Sequence, residues 1–216
     1  MPQRSPLITP EHFRYLAART VQEDDFLREL NRAATVAGMP SISVPPEQAS
    51  FMQILLKLCK AREVVEVGTL AGYSAIAMAR ALPPGGYVRT IEISAAYADF
   101  AEHWIARSDV ADRIEVYLGA GQDILPTFAD NSADAAFLDA DKPNYPLYLQ
   151  QCLRIVRRGG LIMADNAFAF GQLFDEQATE AKILAVRSFN DLMAGVTALH
   201  SIIVPFTDGC WIGVKL

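Results

Sequence analysis

Two residue types that commonly hold soft or borderline metals are scarce in this sequence: three cysteines and three histidines among 216 residues. Cys59, Cys152 and Cys210 are odd in number and form no C-x-x-C pair, which argues against a disulfide framework and for reduced, mostly buried thiols. His12, His103 and His200 lie far apart with no ligand spacing and read as ordinary surface or strand residues. No apolar run approaches the ~20 residues that a membrane span needs. The opening stretch, MPQRSPLITPEHF, carries no hydrophobic core of a secretory signal, so a cytoplasmic location is expected. Positive charge is short as well. Lysine and arginine number 19 against 25 acidic residues, a net charge of −6, so neither a large phosphate-binding face nor a nucleic-acid partner is expected.

What is present is a hydrophobic content of 51% with 20% charged residues, enough for a sizeable core. The expectation is one domain over residues 1–216, with a helical segment at 1–60 serving as a lid or dimer contact and a Rossmann-like core at 61–216. Residues 10–37 read as one helix, with Phe13, Leu16 and Ala17 and then Phe26, Leu27 and Leu30 at helical spacing. GMPSISVPP breaks it, and a second helix over 47–60 carries Phe51, Ile54, Leu55 and Leu58 on one face. From residue 63 the chain alternates apolar runs (EVVEV, YVRTIEI, RIEVYL, DAAFLDA, GGLIMADN) with helices near 73–82, 94–107, 121–129 and 145–156. That alternation indicates βαβ units and a parallel, doubly wound sheet. A helix over 175–194 precedes TALHSIIVPF and CWIGVKL, which return on each other across TDG. An α/β sheet of seven mostly parallel strands, with helices on both faces and an antiparallel last strand, fits the class I methyltransferase fold better than an ordinary dinucleotide fold.

VVEVGTLAGYSAIAMA places Gly68 and Gly72 between the first strand and its helix, where doubly wound sheets bind cofactors. The spacing is G-x-x-x-G, so the pyrophosphate fingerprint is missing, and the glycines serve either a ligand or simply a tight turn. Glu66, just before them, would repel a pyrophosphate but attract an amino group or a sulfonium. Glu92 ends the second strand at about the distance past Gly68 where an acid grips ribose hydroxyls. Ser74 is placed to cap the helix or to bind a carboxylate, and both can hold at once.

EVGTLAGYSA, DADKPNY, RRGGLIMADN and TDGCWIGVKL together resemble the cation-dependent O-methyltransferases, a family that includes catechol and caffeoyl-coenzyme A enzymes and many small bacterial members. The resemblance runs from about residue 40 to the end of the sequence and implies S-adenosylmethionine as cofactor. It places Glu66 and Gly68 at the methionine part, Ser74 at its carboxylate, Glu92 at the ribose, and Gly121 and Gln122 beside the adenine. Val44, Thr69 and Asp139 complete the implied cofactor contacts. Separately, the apolar residues of the N-terminal helices, more than the sheet is expected to cover, point to a homodimer.

The stretch FLDADKPNYPLYL ends an apolar strand in three charges, Asp139, Asp141 and Lys142. Asp165 and Asn166 end the next strand, and in a parallel sheet both exits open on one edge. Two carboxylates and an amide suit a hard cation, Mg²⁺ above all, with Mn²⁺ or Ca²⁺ as alternatives. The plainer reading is a salt-bridged strand exit and a loop-capping Asp-Asn pair. The resemblance implies metal ligation by Asp139, Asp165 and Asn166. Lys142 is then placed to remove the proton of an acceptor hydroxyl or to stabilise the resulting anion, with Asp141 holding that lysine or a metal-bound water. Phe168, Phe170 and Phe174 line an acceptor pocket or pack beneath the loop. The function expected is metal-dependent methyl transfer to a hydroxyl of a small vicinal-diol aromatic, of catechol or hydroxycinnamoyl type. Its rivals are methylation of a hydroxylated uridine in transfer RNA and a non-catalytic cofactor-binding protein.

Overall fold

The computed structural model describes residues 9–20 and 22–216. Seven strands, β1 (Glu63–Val67), β2 (Tyr87–Glu92), β3 (Ile114–Leu118), β4 (Ala133–Leu138), β5 (Val156–Ala164), β6 (Leu199–Val204) and β7 (Cys210–Lys215), form one sheet in the order β3-β2-β1-β4-β5-β7-β6. The pairings among β1 to β5 are parallel, and β7 runs antiparallel to both β5 and β6. The central strands are nearly continuous apolar runs because both faces are covered. Alternate residues feed two separate cores. Val64, Ala135, Phe137 and Met163 pack on one face, while Val65, Ala136, Leu138 and Ile162 pack on the other.

Helices α1 (Pro10–Ala17), α2 (Asp25–Val36), α3 (Pro46–Leu58), α4 (Tyr73–Ala81), α5 (Ala95–Ile105), α6 (Gly121–Ile124), α7 (Tyr145–Ile155) and α8 (Ala181–Gly195) fill the connections. Every residue of α4 except Arg80 is buried. Its small side chains let α3 lie close, with Gln53 Nε2 donating to the Ala77 carbonyl at 2.7 Å. None of the described helices is long and apolar enough to cross a membrane.

Three sequence readings are corrected. The single helix over 10–37 is two helices, with residue 21 outside the described residues. Asp24 ends the continuity by capping α2, its carboxylate accepting from Leu27 N–H at 2.9 Å. The helix near 121–129 stops at Ile124 and passes into a 3₁₀ turn over Leu125–Thr127, where Pro126 removes a backbone donor. The helix over 175–194 begins only at Ala181, because the Arg187 guanidinium takes up the carbonyls of Gln172, Leu173, Asp175 and Ala178 and holds that stretch as a loop.

The chain reverses direction across β1: β2 and β3 lie on one side, β4 and β5 on the other. That switch point sets the crevice at the carboxyl edge of the sheet. Asp134 locks the opposite edge. Its carboxylate accepts from the N–H groups of Arg62 at 2.7 Å and Glu63 at 2.9 Å, and from Arg157 at 2.5 Å. Burial alone would raise its pKa, but the Glu63 N–H, the Arg157 guanidinium and the Arg62 N–H outweigh burial and leave it lowered. Asp134→Ala should therefore lower the unfolding free energy by about 2–4 kcal/mol at neutral pH, since charged hydrogen bonds are lost and two strand donors are stranded. A folded-state pKa below the unfolded one gives stability that is present above the carboxylate range and lost as pH falls through the folded value. Urea melts should show the gap between wild type and variant closing in acid; a gap equal at neutral and acid pH would contradict this role.

Candidate active site

Three strand exits are laced together at the carboxyl edge. Gly68 N–H donates to the Ile91 carbonyl at 2.9 Å, Asp139 N–H to Val67 at 2.9 Å, and Asp165 N–H to Leu138 at 3.0 Å. Gly68 has a φ of 103°, and a Cβ there would fall 2.1 Å from the Asp139 carbonyl oxygen. The residue between the β1 and β4 exits must be glycine, which brings the turn after β1 and the acidic strand end into contact.

A cavity of about 720 Å³ opens over this edge. Val44, Pro40 and Ile42, from the segment ahead of α3, form one wall. Gly68, Thr69, Ser74, Glu92, Gly121 and Asp139 line it as well. Glu92 is held rigidly, accepting from Leu70 N–H and Ser94 N–H, each at 2.9 Å. A Cβ on Gly121 would meet Tyr148 and Val67 at 2.8 Å, so this wall too is set by the absence of a side chain. Gln122 is exposed and does not line the cavity.

Glu66 does not line it either; it is fully buried behind the wall. Thr90 Oγ1 donates to its Oε2 at 2.6 Å and Ser74 Oγ donates to its Oε1, while Thr69 and Thr90 hydroxyls lie 2.6 Å apart. Among the described residues no cation pairs with it. Burial raises its pKa to about 8, the hydrogen bonds from Ser74 and Thr90 pull downward, and Asp139 and Glu92 push upward.

At the other end, Lys142 is buried and reaches back toward the sheet. Its Nζ donates to Asp139 Oδ1 at 3.1 Å and to the Tyr145 hydroxyl at 2.6 Å, and that hydroxyl donates to the Leu138 carbonyl at 2.9 Å. Asp141 holds neither the lysine nor any strand exit. It accepts from the Tyr148 hydroxyl at 2.6 Å and from Asn144 at 2.5 Å. Asp165 Oδ1 is buried with no hydrogen-bond partner. Burial and the Asp139 charge push the Asp165 pKa upward, against the Asn166 N–H, the Gln48 side chain and Lys142. Asn166 follows in the left-handed region at φ 65°. Among the described residues no group of three or more His, Cys, Asp or Glu is arranged to hold a metal. Asp139, Asp165 and Asn166 line the cavity together with Asp141 and Asp208.

Phe170 lines the cavity, Phe168 packs against Gly209, and Phe174 is exposed. Sequence reasoning overlooked Asp208, Tyr145 and Thr90. Asp208 stands in the TDG turn, and because β7 runs antiparallel the turn before it lands on the same edge as the exits of β4 and β5. That signal was legible. Nothing local in the sequence marks Thr90 or Tyr145 as partners of Glu66 and Lys142.

A sheet of this order with its crevice at this edge is the class I S-adenosylmethionine-dependent methyltransferase fold. The O-methyltransferase family model matches residues 17–216, and the chain belongs to that family as an S-adenosylmethionine-dependent O-methyltransferase. A catechol O-methyltransferase of Niastella koreensis is 40% identical over 204 residues, covering 93% of this chain and 90% of the relative. A catechol O-methyltransferase of Mycobacterium tuberculosis is 36% identical over 184 residues, covering 85% and 83%. The solved structure of an O-methyltransferase from Bacillus cereus in complex with SAH superposes with a TM-score of 0.86 at 32% identity, covering 94% of this chain and 96% of that one.

The Glu66 network makes a pH prediction. The native state holds a proton that the unfolded chain gives up near the ordinary value of 4.5, so stability should fall as pH rises toward about 8. Glu66→Gln, neutral at every pH, should flatten that decline. Unfolding of the ligand-free protein from about pH 5 to about pH 9 checks this; parallel curves for wild type and variant would show that Glu66 is ionised throughout.

Proposed function

We propose that this O-methyltransferase moves the methyl group of S-adenosylmethionine to one hydroxyl of a small vicinal-diol aromatic, of catechol or hydroxycinnamoyl type, with a divalent cation held by Asp139, Asp165 and Asn166. The observation that carries the metal is the buried, unpartnered Oδ1 of Asp165 beside the like charge of Asp139. Lys142 offsets one carboxylate, and a hard cation would satisfy the other. The oxygen-only donor set suits Mg²⁺, with Mn²⁺ or Ca²⁺ as substitutes.

In this reading Glu92 takes the ribose hydroxyls, Gly68, Thr69 and Ser74 the methionine part, Gly121 the adenine, and Val44 closes the cofactor from the lid side. Glu66 acts through Ser74, which it buttresses from behind. The bound cation would lower the pKa of the chelated hydroxyls and fix one oxygen in line with the methyl group. As the neutral amine, Lys142 would take up the hydroxyl proton as oxygen attacks the methyl carbon and the sulfonium leaves as a neutral thioether. As the ammonium held by Asp139 and Tyr145, it would instead stabilise the acceptor oxyanion. Pro40, Ile42, Pro143 and Phe170 give the acceptor end an apolar lining that fits an aromatic ring. The names of the Niastella and Mycobacterium relatives support the catechol reading.

Turnover of catechol and of caffeic acid with S-adenosylmethionine and Mg²⁺ tests this. Chelator and Asp139→Asn should each abolish it. Lys142→Ala should lower it by ~10²–10⁴-fold, the usual contribution of a positioned proton acceptor. Full turnover in chelator would remove the metal, and full turnover of Lys142→Ala would leave that lysine a strand-exit charge only.

A further inference from the structure

Asp208 stands in the turn between β6 and β7, yet its carboxylate is spent on the loop that follows β5. Oδ2 accepts from Asn166 Nδ2 at 3.1 Å and from Phe170 N–H at 2.8 Å, and Oδ1 accepts from Gly171 N–H at 3.0 Å. The two backbones are also joined, by Ala167 N–H to the Gly209 carbonyl at 2.8 Å and Phe168 N–H to the Asp208 carbonyl at 2.7 Å. Gly209 permits this approach, since a Cβ there would stand 2.9 Å from the Phe168 ring. Asn166, Ala169 and Phe170 all have positive φ, at 65°, 55° and 57°, a conformation unfavourable for L-residues. Something outside the loop must hold them there, and Asp208 contacts two of the three.

An ionised carboxylate only accepts hydrogen bonds, whereas a primary amide has one accepting and one donating edge. Asn166 must therefore turn its NH₂ edge to Asp208, which leaves its carbonyl oxygen for the cavity that both residues line. An amide turned the other way would present two N–H donors where a cation needs an oxygen. With three donors already upon it, Asp208 is poorly placed to serve as a ligand itself.

We infer that Asp208 is a positioning residue for the cation site, fixing which edge of the Asn166 amide faces Asp139 and Asp165. The inference rests on the metal reading above. Such partners of a metal ligand typically change affinity by 10–100-fold when altered.

The test is Mn²⁺ binding to the full chain, read from the loss of the free-ion electron paramagnetic resonance signal. Wild type should bind. Asp208→Ala should weaken binding at least tenfold, because nothing then fixes which edge of the Asn166 amide faces the cavity. In the Asn166→Asp background, where a carboxylate presents an oxygen whichever way it turns, Asp208→Ala should change affinity little. A mere loop clamp would weaken binding in both backgrounds, so a similar loss in both overturns the inference. Unchanged binding in Asp208→Ala overturns it alone, with the metal reading intact. Absence of Mn²⁺ binding by wild type overturns both. If Asp208→Ala does not fold, Asp208→Ser answers in its place, read in the same two backgrounds with the same outcomes.

Discussion

Two carboxylates at the ends of adjacent strands govern this site. Leu138 of β4 pairs with Ala164 of β5, so the next residue on each strand, Asp139 and Asp165, leaves the sheet side by side. Unit charges about 5 Å apart at an effective dielectric of about 20 repel by roughly 3 kcal/mol. That is a large fraction of a domain's net stability. One ammonium, Lys142, stands against Asp139. It is itself fixed by Tyr145, whose hydroxyl is tied to the carbonyl that precedes Asp139. The second carboxylate, Asp165, is buried with Oδ1 making no hydrogen bond, and its charge is offset by the Asn166 N–H, the Gln48 side chain and Lys142.

The rest of the fold serves that edge. Gly68 lets the turn after β1 touch the Asp139 backbone, so that turn and the acidic end of β4 share one cavity rather than two. The segment leading into α3 roofs the cavity with Val44 and Ile42, and the β6–β7 turn braces the loop after β5 from the far side. Behind the wall, Glu66 sits among the hydroxyls of Ser74, Thr90 and Thr69 with no cation paired to it among the described residues, and burial raises its pKa.

Much of this was legible in the sequence, for identifiable reasons. Strands buried on both faces appear as unbroken runs such as EVVEV and DAAFLDA, and parallel topology forces their exits onto one edge. Asp139, Asp165, Asn166 and Lys142 could therefore be grouped from residue order alone. What escaped depended on partners distant in sequence. The stretch ahead of α8 has a composition that a helix would accept, but Arg187 captures its carbonyls. Asp141 looks like a partner for the adjacent lysine, yet it is drawn to Tyr148 and Asn144 on the next helical turn. Glu66 reads as a ligand contact because it precedes Gly68, but strand alternation turns it away from the cavity and into the space between Ser74 and Thr90.

Crystals grown with Mn²⁺ and S-adenosylhomocysteine test the central claim most directly, through anomalous scattering from the metal. The account predicts one strong peak bounded by the side-chain oxygens of Asp139, Asp165 and Asn166, beside the sulfur of the bound cofactor product. A cofactor-filled cavity with no anomalous peak between those three residues, or with the metal bound elsewhere, would contradict it.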